Sequence, residues 1–351
     1  MKKKILIAPL NWGLGHATRC IPIINALVQH NFTPIIASDG PALSLLTKEF
    51  PDLKAIELPS YNISYAKKSN HLKLKLLKDT PKILKTIRAE QKAVKLIVKT
   101  HQIDGIISDN RFGVYHKDLP TAYITHQLKV LSGNTTWLST KLHQKTIQRF
   151  NECWIPDTLG QLNLSGKMGH IEDHGLNIKY IGPISRFQKT ESEFQYDIMV
   201  LLSGPEPQRG IFEEKLLTEF KNYKGNVLFV KGIIEEEQTL HKSGNMTIYN
   251  FMTSELLEKS INSSELIVAR SGYTTIMDLA KLGKKAFFIP TPGQFEQDYL
   301  AKEMVTNNLA PSCDQDAFKL EILTNISKFK GLETIAHETD FKDLFKLFER
   351  E

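Results

Sequence analysis

Cysteine is scarce in this sequence, and long apolar runs are missing. The 351 residues include three widely spaced cysteines, Cys20, Cys153 and Cys313, with no C-x-x-C pair. This pattern argues against a disulfide framework and against a structural zinc site. No stretch approaches 18 uncharged apolar residues, and the apolar run at residues 5–10 is too short for a secretory signal. We therefore expect a cytoplasmic protein with no membrane-spanning segment.

An excess of one charge is also lacking overall. The 45 Lys and Arg residues against 39 Asp and Glu residues leave a net charge of +6, which is too small and too balanced to predict nucleic-acid binding. The charge is uneven, however, because residues 61–100 contain eleven basic and two acidic residues. Apolar residues interleave with these lysines: Leu72, Leu76, Ile83, Leu84, Ile87, Val94, Ile97 and Val98. The segment predicts either a helix that rests on an anionic membrane surface or an ordinary core-facing helix with a wet basic face.

Short β-branched apolar runs alternate with helical patterns along most of the chain. The first series lies at 4–9, 33–38, 54–58, 104–108, 121–126, 152–156 and 178–182, and the second begins at 197, 226, 246, 265 and 284. Continuous hydrophobicity in such runs is typical of parallel strands covered by helices on both faces. The sequence thus predicts an α/β fold with two Rossmann-like, doubly wound parallel sheets. We expect domains at 1–185 and 186–333, and an amphipathic helix at 334–351 that packs back on the first domain.

The first predicted strand leads into a glycine-rich loop that contains a histidine. The loop reads N11-W-G-L-G-H-A-T-R19, so Gly15 allows a close approach of the backbone and the following helix start favours an anion. It matches neither the dinucleotide fingerprint nor the P-loop. His16 stands where α/β sheets bind ligands, and a neutral imidazole can serve there as a general base. The alternative is a histidine that only satisfies backbone groups of the loop.

A second strand, turn and helix unit lies near the C-terminus. It reads A269-R-S-G-Y-T-T-I-M-D-L-A-K-L-G283. We expect Ser271 to cap a helix that starts at Gly272, and the exposed amides there to suit a diphosphate. Asp278, two turns in, can accept hydrogen bonds from ribose hydroxyls. Gln297 and Asp298, near the next helix start, are in a position to reach sugar hydroxyls.

These two segments together resemble the GT-B-fold glycosyltransferases of family 28. The resemblance implies two domains that face a cleft and a nucleotide sugar, UDP-linked, as co-substrate. It implies a lipid-linked or cell-envelope acceptor and no cofactor. No D-x-D stands at a predicted strand end, which favours metal-independent transfer with inversion. A peripheral location on the inner face of the membrane follows if residues 61–100 contact lipid.

Roles follow from the same resemblance, residue by residue. It assigns the role of catalytic base to His16. Asp109, at the end of another predicted strand, is the second catalytic candidate because it can orient His16 or bind the acceptor, although an aspartate there is as often only a turn residue. It assigns donor binding to Gly15, Arg186, Ser203, Gly204, Phe251, Ser271, Gly272, Thr274, Asp278, Gln297 and Asp298. It places Asn11, Arg19 and His126 on the acceptor side of the site. Asp298 replaces a glutamine of the family pattern, so the sugar, hexose or N-acetylhexosamine, stays open.

Two other functions fit the same residues. The G15-H-A-T-R-C20 stretch is also similar to UDP-sugar hydrolases of the nonulosonic-acid pathway, in which water replaces the sugar acceptor. A non-catalytic nucleotide-sugar-binding protein would keep the donor residues as well. The basic amphipathic segment favours the transferase, because a hydrolase of a nucleotide sugar in solution needs no lipid-facing surface.

Overall fold

The chain folds into two compact α/β units. The computed structural model describes residues 2–61, 72–131, 135–160, 162–171, 175–204, 206–233, 235–332 and 338–349. Within these residues, the first unit comprises everything up to 184 together with 338–349, and the second comprises 185–332. The second unit thus begins at Ser185, one residue before the start expected from the sequence.

The first unit is built on a seven-stranded parallel sheet in the order β3-β2-β1-β4-β5-β6-β7. Its strands are β1 Lys4–Pro9, β2 Thr33–Ser38, β3 Ala55–Glu57, β4 Gly105–Asp109, β5 Thr121–Ile124, β6 Glu152–Ile155 and β7 Ile178–Tyr180. Its helices are α1 Gly15–Gln29, α2 Gly40–Glu49, α3 Leu72–His101 and α4 Thr136–Ile147, with a 3₁₀ turn at Gly166–Met168. Every residue of β4 is buried, because helices cover both faces of the sheet.

The second unit contains a six-stranded sheet in the order β10-β11-β9-β8-β12-β13. The strands are β8 Tyr196–Leu201, β9 Val227–Val230, β10 Leu240–Ser243, β11 Met246–Tyr249, β12 Ser264–Ala269 and β13 Lys285–Phe288. The helices are α5 Gln208–Phe220, α6 Ser254–Asn262, α7 Tyr273–Leu282 and α8 Phe295–Thr306, followed by 3₁₀ segments at Gln315–Ala317 and Leu320–Lys328. The predicted parallel sheet is confirmed for the other pairs, and one edge strand that was not predicted, β10, pairs antiparallel with β11. Its sequence, LHKS, is exposed at all four residues and carries no apolar signal.

The last helix, α9 Phe341–Glu349, packs on the first unit. The ring of Phe345 lies 5.6 Å from that of Phe32, and the ring of Phe348 lies 6.2 Å from that of Trp154. Gly105 lies directly beneath, since a Cβ at this position would lie 2.4 Å from Phe348 Cδ1. The apolar face of a nine-residue helix is too small to be stable alone and is buried here in the first core.

Helix α3 contains most of the lysine-rich segment. Val94 and Ile97 are buried in a core cluster with Leu6 and Ile106, so at these positions the core interpretation is correct and the membrane interpretation is wrong. Leu84 and Leu96 are exposed on the same helix. The predictions for Leu72 and Leu76 lie outside the side chains that the structure describes.

Candidate active site

The first unit gathers its polar side chains where three neighbouring strands end. His16 lies in the first turn of α1, which follows β1, and Asp109 is the last residue of β4. His126 comes two residues after β5. Because β1, β4 and β5 are adjacent and parallel, their carboxyl ends place these three residues at one edge of the sheet. The structure therefore brings together residues that are 93 and 110 positions apart in the sequence.

His16 and Asp109 form a hydrogen-bonded pair. The distance from His16 Nδ1 to Asp109 Oδ1 is 2.8 Å. Nη2 of Arg19, which can only donate, lies 2.7 Å from the same Nδ1, and the Asp109 carboxylate can only accept. We assign the imidazole proton to the bond from Nδ1 to Asp109, which leaves the Nε2 lone pair available. Among the described residues, no group hydrogen-bonds to Nε2, and the His16 side chain remains 13% exposed. The geometry is that of a general base oriented by an acid.

Arg19 completes the cluster from one turn further along α1. It is fully buried and donates to Asp109 through Nε, at 2.5 Å, and through Nη2. Its Nη1 lies 3.3 Å from Nδ1 of His126, which is also buried. Arg19, predicted on the acceptor side, thus has its guanidinium below the surface, where it holds Asp109 in place.

Burial and neighbouring charges set the protonation of this pair. Burial lowers the pKa of His16 below its ordinary value, Asp109 opposes the shift, and Arg19 adds to it. Burial acting alone would raise the pKa of Asp109, but the charges of Arg19 and His16 lower it to about 2. At neutral pH the imidazole is therefore neutral and the carboxylate is ionised, as proton abstraction requires.

A second buried network lies beside this cluster and was not predicted. Arg111 donates to Asp39 Oδ1 and to Glu90 Oε1, both at 2.7 Å, and all three side chains are buried. Asn11 Nδ2 in turn donates to the other oxygen of Asp39 at 3.2 Å. The network ties the glycine-rich loop to α3, which carries Glu90. Only the position of Asp39 after β2 could have indicated it in the sequence.

The second unit presents the N-terminus of α7 as its candidate anion site. Gly272 is the N-cap residue, and no side chain caps the helix. The expected cap by Ser271 is wrong, because its buried hydroxyl donates to the Gln297 carbonyl oxygen at 2.8 Å. Thr274 lies half-buried in the first turn. The N-cap residue of α7 thus supplies no side-chain cap, which suits an anionic group at this helix end.

Asp278 lies two turns into α7 and is only partly accessible. Ser185 donates a hydrogen bond to its Oδ1 at 2.6 Å, a contact that the sequence did not predict. Burial raises the pKa of Asp278 to about 6, and the nearby charge of Arg186 opposes the shift. Arg186 also donates to Ser254 Oγ at 3.0 Å. The structure thus places Asp278 and Arg186, 92 residues apart, in one electrostatic group.

The remaining predicted donor residues lie in the first turn of α8 and in the loop after β11. Gln297 accepts a hydrogen bond from the Thr291 amide through Oε1 at 2.7 Å, which leaves its amide nitrogen for other groups. Asp298 is half-buried, and burial raises its pKa. Both main-chain groups of Phe251 have side-chain partners, since its amide donates to Asn250 and its carbonyl accepts from Gln238. Base readout at Phe251 would therefore compete with these bonds.

The turn after β8 contains Ser203 and Gly204. Gly204 has a φ of +104° and open space where a Cβ would lie. A side chain at this position would be strained by the backbone and not by crowding. The glycine lets the backbone turn at the carboxyl end of β8, the strand next to β12, and thus on the same sheet edge as the start of α7.

Comparison with known proteins supports these assignments of fold and family. Residues 213–330 match the glycosyltransferase family 28 C-terminal domain. The UDP-N-acetylglucosamine–N-acetylmuramyl-(pentapeptide) pyrophosphoryl-undecaprenol N-acetylglucosamine transferase of Buchnera aphidicola is 25% identical over 210 residues, which cover 58% of this chain and 56% of that protein. The enzyme of the same name from Haemophilus ducreyi is 22% identical over 66% of this chain and 65% of its own length. The matched region thus spans less than two thirds of these relatives.

Solved structures agree on the fold. MurG of Acinetobacter baumannii covers the whole of both chains with a TM-score of 0.59 and 13% identity. A UDP-glucosyltransferase from Polygonum tinctorium covers 100% of this chain and 99% of its own, with a TM-score of 0.64 and 11% identity. At such identities the likeness concerns the fold alone. The chain has the GT-B fold, and the resemblance to family 28 is confirmed by the match over residues 213–330.

Proposed function

We propose, taking residues 213–330 as a family 28 C-terminal domain, that the protein is an inverting glycosyltransferase. It would move a hexose or N-acetylhexosamine from a nucleotide sugar, UDP-linked, to a lipid-linked or cell-envelope glycan acceptor. The observation that carries the proposal is the His16–Asp109 pair, with Nε2 of His16 unoccupied by any described group. The printed names of the curated relatives, which transfer N-acetylglucosamine to a pyrophosphoryl-undecaprenol acceptor, support the donor and acceptor classes.

The first unit would carry out the proton transfer. An acceptor hydroxyl attacks the anomeric carbon while the bond from that carbon to the diphosphate oxygen breaks, and UDP leaves with the bonding electrons. Nε2 of His16 takes the hydroxyl proton, and Asp109 stabilises the imidazolium that forms. Because Arg19 keeps Asp109 ionised, the pair is ready for this step before any substrate binds.

The second unit would bind the donor. The amides at the start of α7 and the charge of Arg186 would stabilise the developing charge on the diphosphate. Asp278 would accept hydrogen bonds from the ribose hydroxyls, and the amide nitrogen of Gln297 would donate to the sugar. The residues present suffice for leaving-group stabilisation, so we propose a reaction without a cofactor and without a metal ion.

A turnover assay with a panel of nucleotide sugars tests this function. We expect UDP and UDP-sugars to raise the melting temperature of the protein, and sugar to appear on a polyprenyl-linked acceptor as UDP is released. Release of free sugar at the same rate with and without acceptor would identify a hydrolase instead. Binding of UDP-sugars with no release of UDP under either condition would identify a binding protein.

We also propose that helix α4 contacts the membrane. Trp137 is 73% exposed and Leu142 is 60% exposed, an unusual arrangement for side chains of this size. Lys141 lies between them, with Nζ 5.4 Å from the centre of the Trp137 ring. Residues 119–151 contain four lysines and arginines and no acidic residue. An exposed tryptophan among leucines and lysines is typical of a helix at an anionic bilayer surface.

Sedimentation with lipid vesicles tests this contact. In the described part of the chain no helix is long and apolar enough to cross a bilayer. We expect the Trp137→Ser, Leu142→Ser double variant to lose at least about tenfold in binding to vesicles with 30% phosphatidylglycerol, because two apolar side chains no longer enter the lipid. Leu96→Ser, on the exposed side of α3, is the matched control. A larger loss of vesicle binding in Leu96→Ser would mean that α3, and not α4, contacts the lipid.

A further inference from the structure

The second unit buries a positive charge beside the start of α7. Arg270 directly follows β12 and is 1% exposed. Its guanidinium donates to three carbonyl oxygens, of Ile289 at 3.1 Å, Pro290 at 2.9 Å and Gln208 at 3.2 Å. A fourth bond, of 2.6 Å, goes to the side-chain oxygen of Gln315. All four acceptors are neutral.

No carboxylate among the described residues balances this charge. Phe212 lies beneath the guanidinium, whose carbon is 3.8 Å from the centre of the ring. The buried Nε of Arg270 has no hydrogen-bond partner within the described part of the chain. Carbonyl dipoles and an aromatic face stabilise a cation only in part, and a buried cation without a counter-charge is unfavourable. Burial accordingly lowers the pKa of Arg270 to about 9.

The position of Arg270 indicates which anion would balance its charge. Arg270 precedes Gly272, the N-cap of α7, by two residues, a separation that the backbone spans in at most about 7 Å. The guanidinium binds carbonyls that directly follow β13, and β13 is the parallel neighbour of β12, so it lies at the same carboxyl edge of the sheet at which α7 begins. The same guanidinium holds the carbonyls of Ile289 and Pro290, next to Thr291, whose amide binds Gln297.

We propose that Arg270 is a positioning residue whose buried charge stabilises the pyrophosphate of the donor at the start of α7 without contacting it. This inference rests on the proposed function, because it requires a nucleoside diphosphate as ligand. The buried positive charge of Arg270 would be balanced only when the anionic ligand is bound. A buried charge is screened little by salt, so its contribution should persist at high ionic strength.

The chain contains a natural control. Lys284 is likewise buried and also lacks a carboxylate partner among the residues described, since its Nζ donates to the carbonyl oxygens of Asn262 and Ser264. Ser264 is the first residue of β12, so Lys284 lies at the opposite end of the strand from Arg270. Its charge should make no difference to a ligand at α7.

Titration calorimetry with UDP and with uridine separates an effect of the Arg270 charge on the ligand from an effect of Arg270 on the structure of the site. We expect Arg270→Gln to weaken UDP binding about tenfold and to leave uridine binding within twofold, whereas Arg270→Lys keeps most of the UDP affinity. Lys284→Gln should leave both affinities unchanged. Equal losses for UDP and uridine in Arg270→Gln would mean a purely structural role and overturn the inference. So would a Lys variant as weak as the Gln variant.

A measurement on the unaltered protein covers the case in which Arg270→Gln does not fold. The ratio of UDP to uridine affinity should fall less than about threefold between 50 and 500 mM NaCl. A fall above tenfold would assign the preference to exposed cations and overturn the role of Arg270. If the unaltered protein does not bind UDP at all, the proposed function fails and not only this inference.

Discussion

The two units differ in the partners of their most deeply buried arginines. In the first unit Arg19 is paired with Asp109, and Arg111 with Asp39 and Glu90, all of them buried. In the second unit Arg209 is likewise paired with Glu206 and Glu213, whereas Arg270 and Lys284 donate to neutral oxygens. The buried arginines of the first unit are thus already balanced by carboxylates, whereas Arg270 in the second unit has a charge that an anionic ligand can balance. The difference suits a unit that moves a proton and a unit that binds a diphosphate.

The largest expected effect concerns turnover. His16→Ala removes the proposed base, so turnover should fall about 10²- to 10⁴-fold, measured as the initial rate of UDP release. In the unaltered protein the rate should fall as the pH drops below the pKa of His16, which burial lowers from 6.5, because the imidazolium cannot accept a proton. Unchanged turnover in the variant would remove His16 from the mechanism.

Breaking the buried ion pair of Arg19 and Asp109 should have the next largest effect, which is a loss of stability. Asp109→Asn leaves Arg19 buried without a counter-charge, so the free energy of unfolding should fall by about 3–5 kcal/mol, measured by urea denaturation. The Arg19→Met, Asp109→Asn double variant should recover part of this loss, because the stranded charge is gone. Additive losses in the double variant would mean that the pair is not coupled.

A smaller effect of opposite sign is expected in the second unit. Burial raises the pKa of Asp278 from 3.8 to about 6, so ionisation of this group costs stability, and the cost grows as the pH rises from about 4 to about 6. Asp278→Asn removes it and should stabilise the protein at pH 7–8 by about 2–3 kcal/mol and flatten the dependence of stability on pH. Equal stability of the two proteins at pH 7 would show that Asp278 carries no such cost.

Much of the fold follows from local sequence. The bounds predicted for β1 and β2 match the observed strands, because runs such as KILIAP are apolar throughout and end at a turn. The helix at Tyr273–Leu282 ends at Gly283, whose φ is +64°, a conformation that glycine adopts without strain. The edge strand β10 was missed because pairing with β11, and not its own hydrophobicity, makes it a strand.

The site was predictable only where a strand end marked it. His16, Asp109 and Asp278 were found because glycine loops and strand ends point to them. The partners that set their protonation come from distant parts of the chain, as with Ser185 on Asp278. Arg270 was quoted within its motif but gave no sign of burial. Whether an arginine faces solvent or lies among carbonyls depends on tertiary packing, which the sequence pattern does not report.

The central claim is that donor binding belongs to the second unit and proton transfer to the first. Titration calorimetry of UDP into His16→Ala and into Asp278→Ala tests it most directly. We predict that His16→Ala binds UDP within twofold of the unaltered protein, and that Asp278→Ala loses about tenfold because the ribose hydroxyls lose their acceptor. A loss of UDP binding in His16→Ala together with unchanged binding in Asp278→Ala would contradict the account.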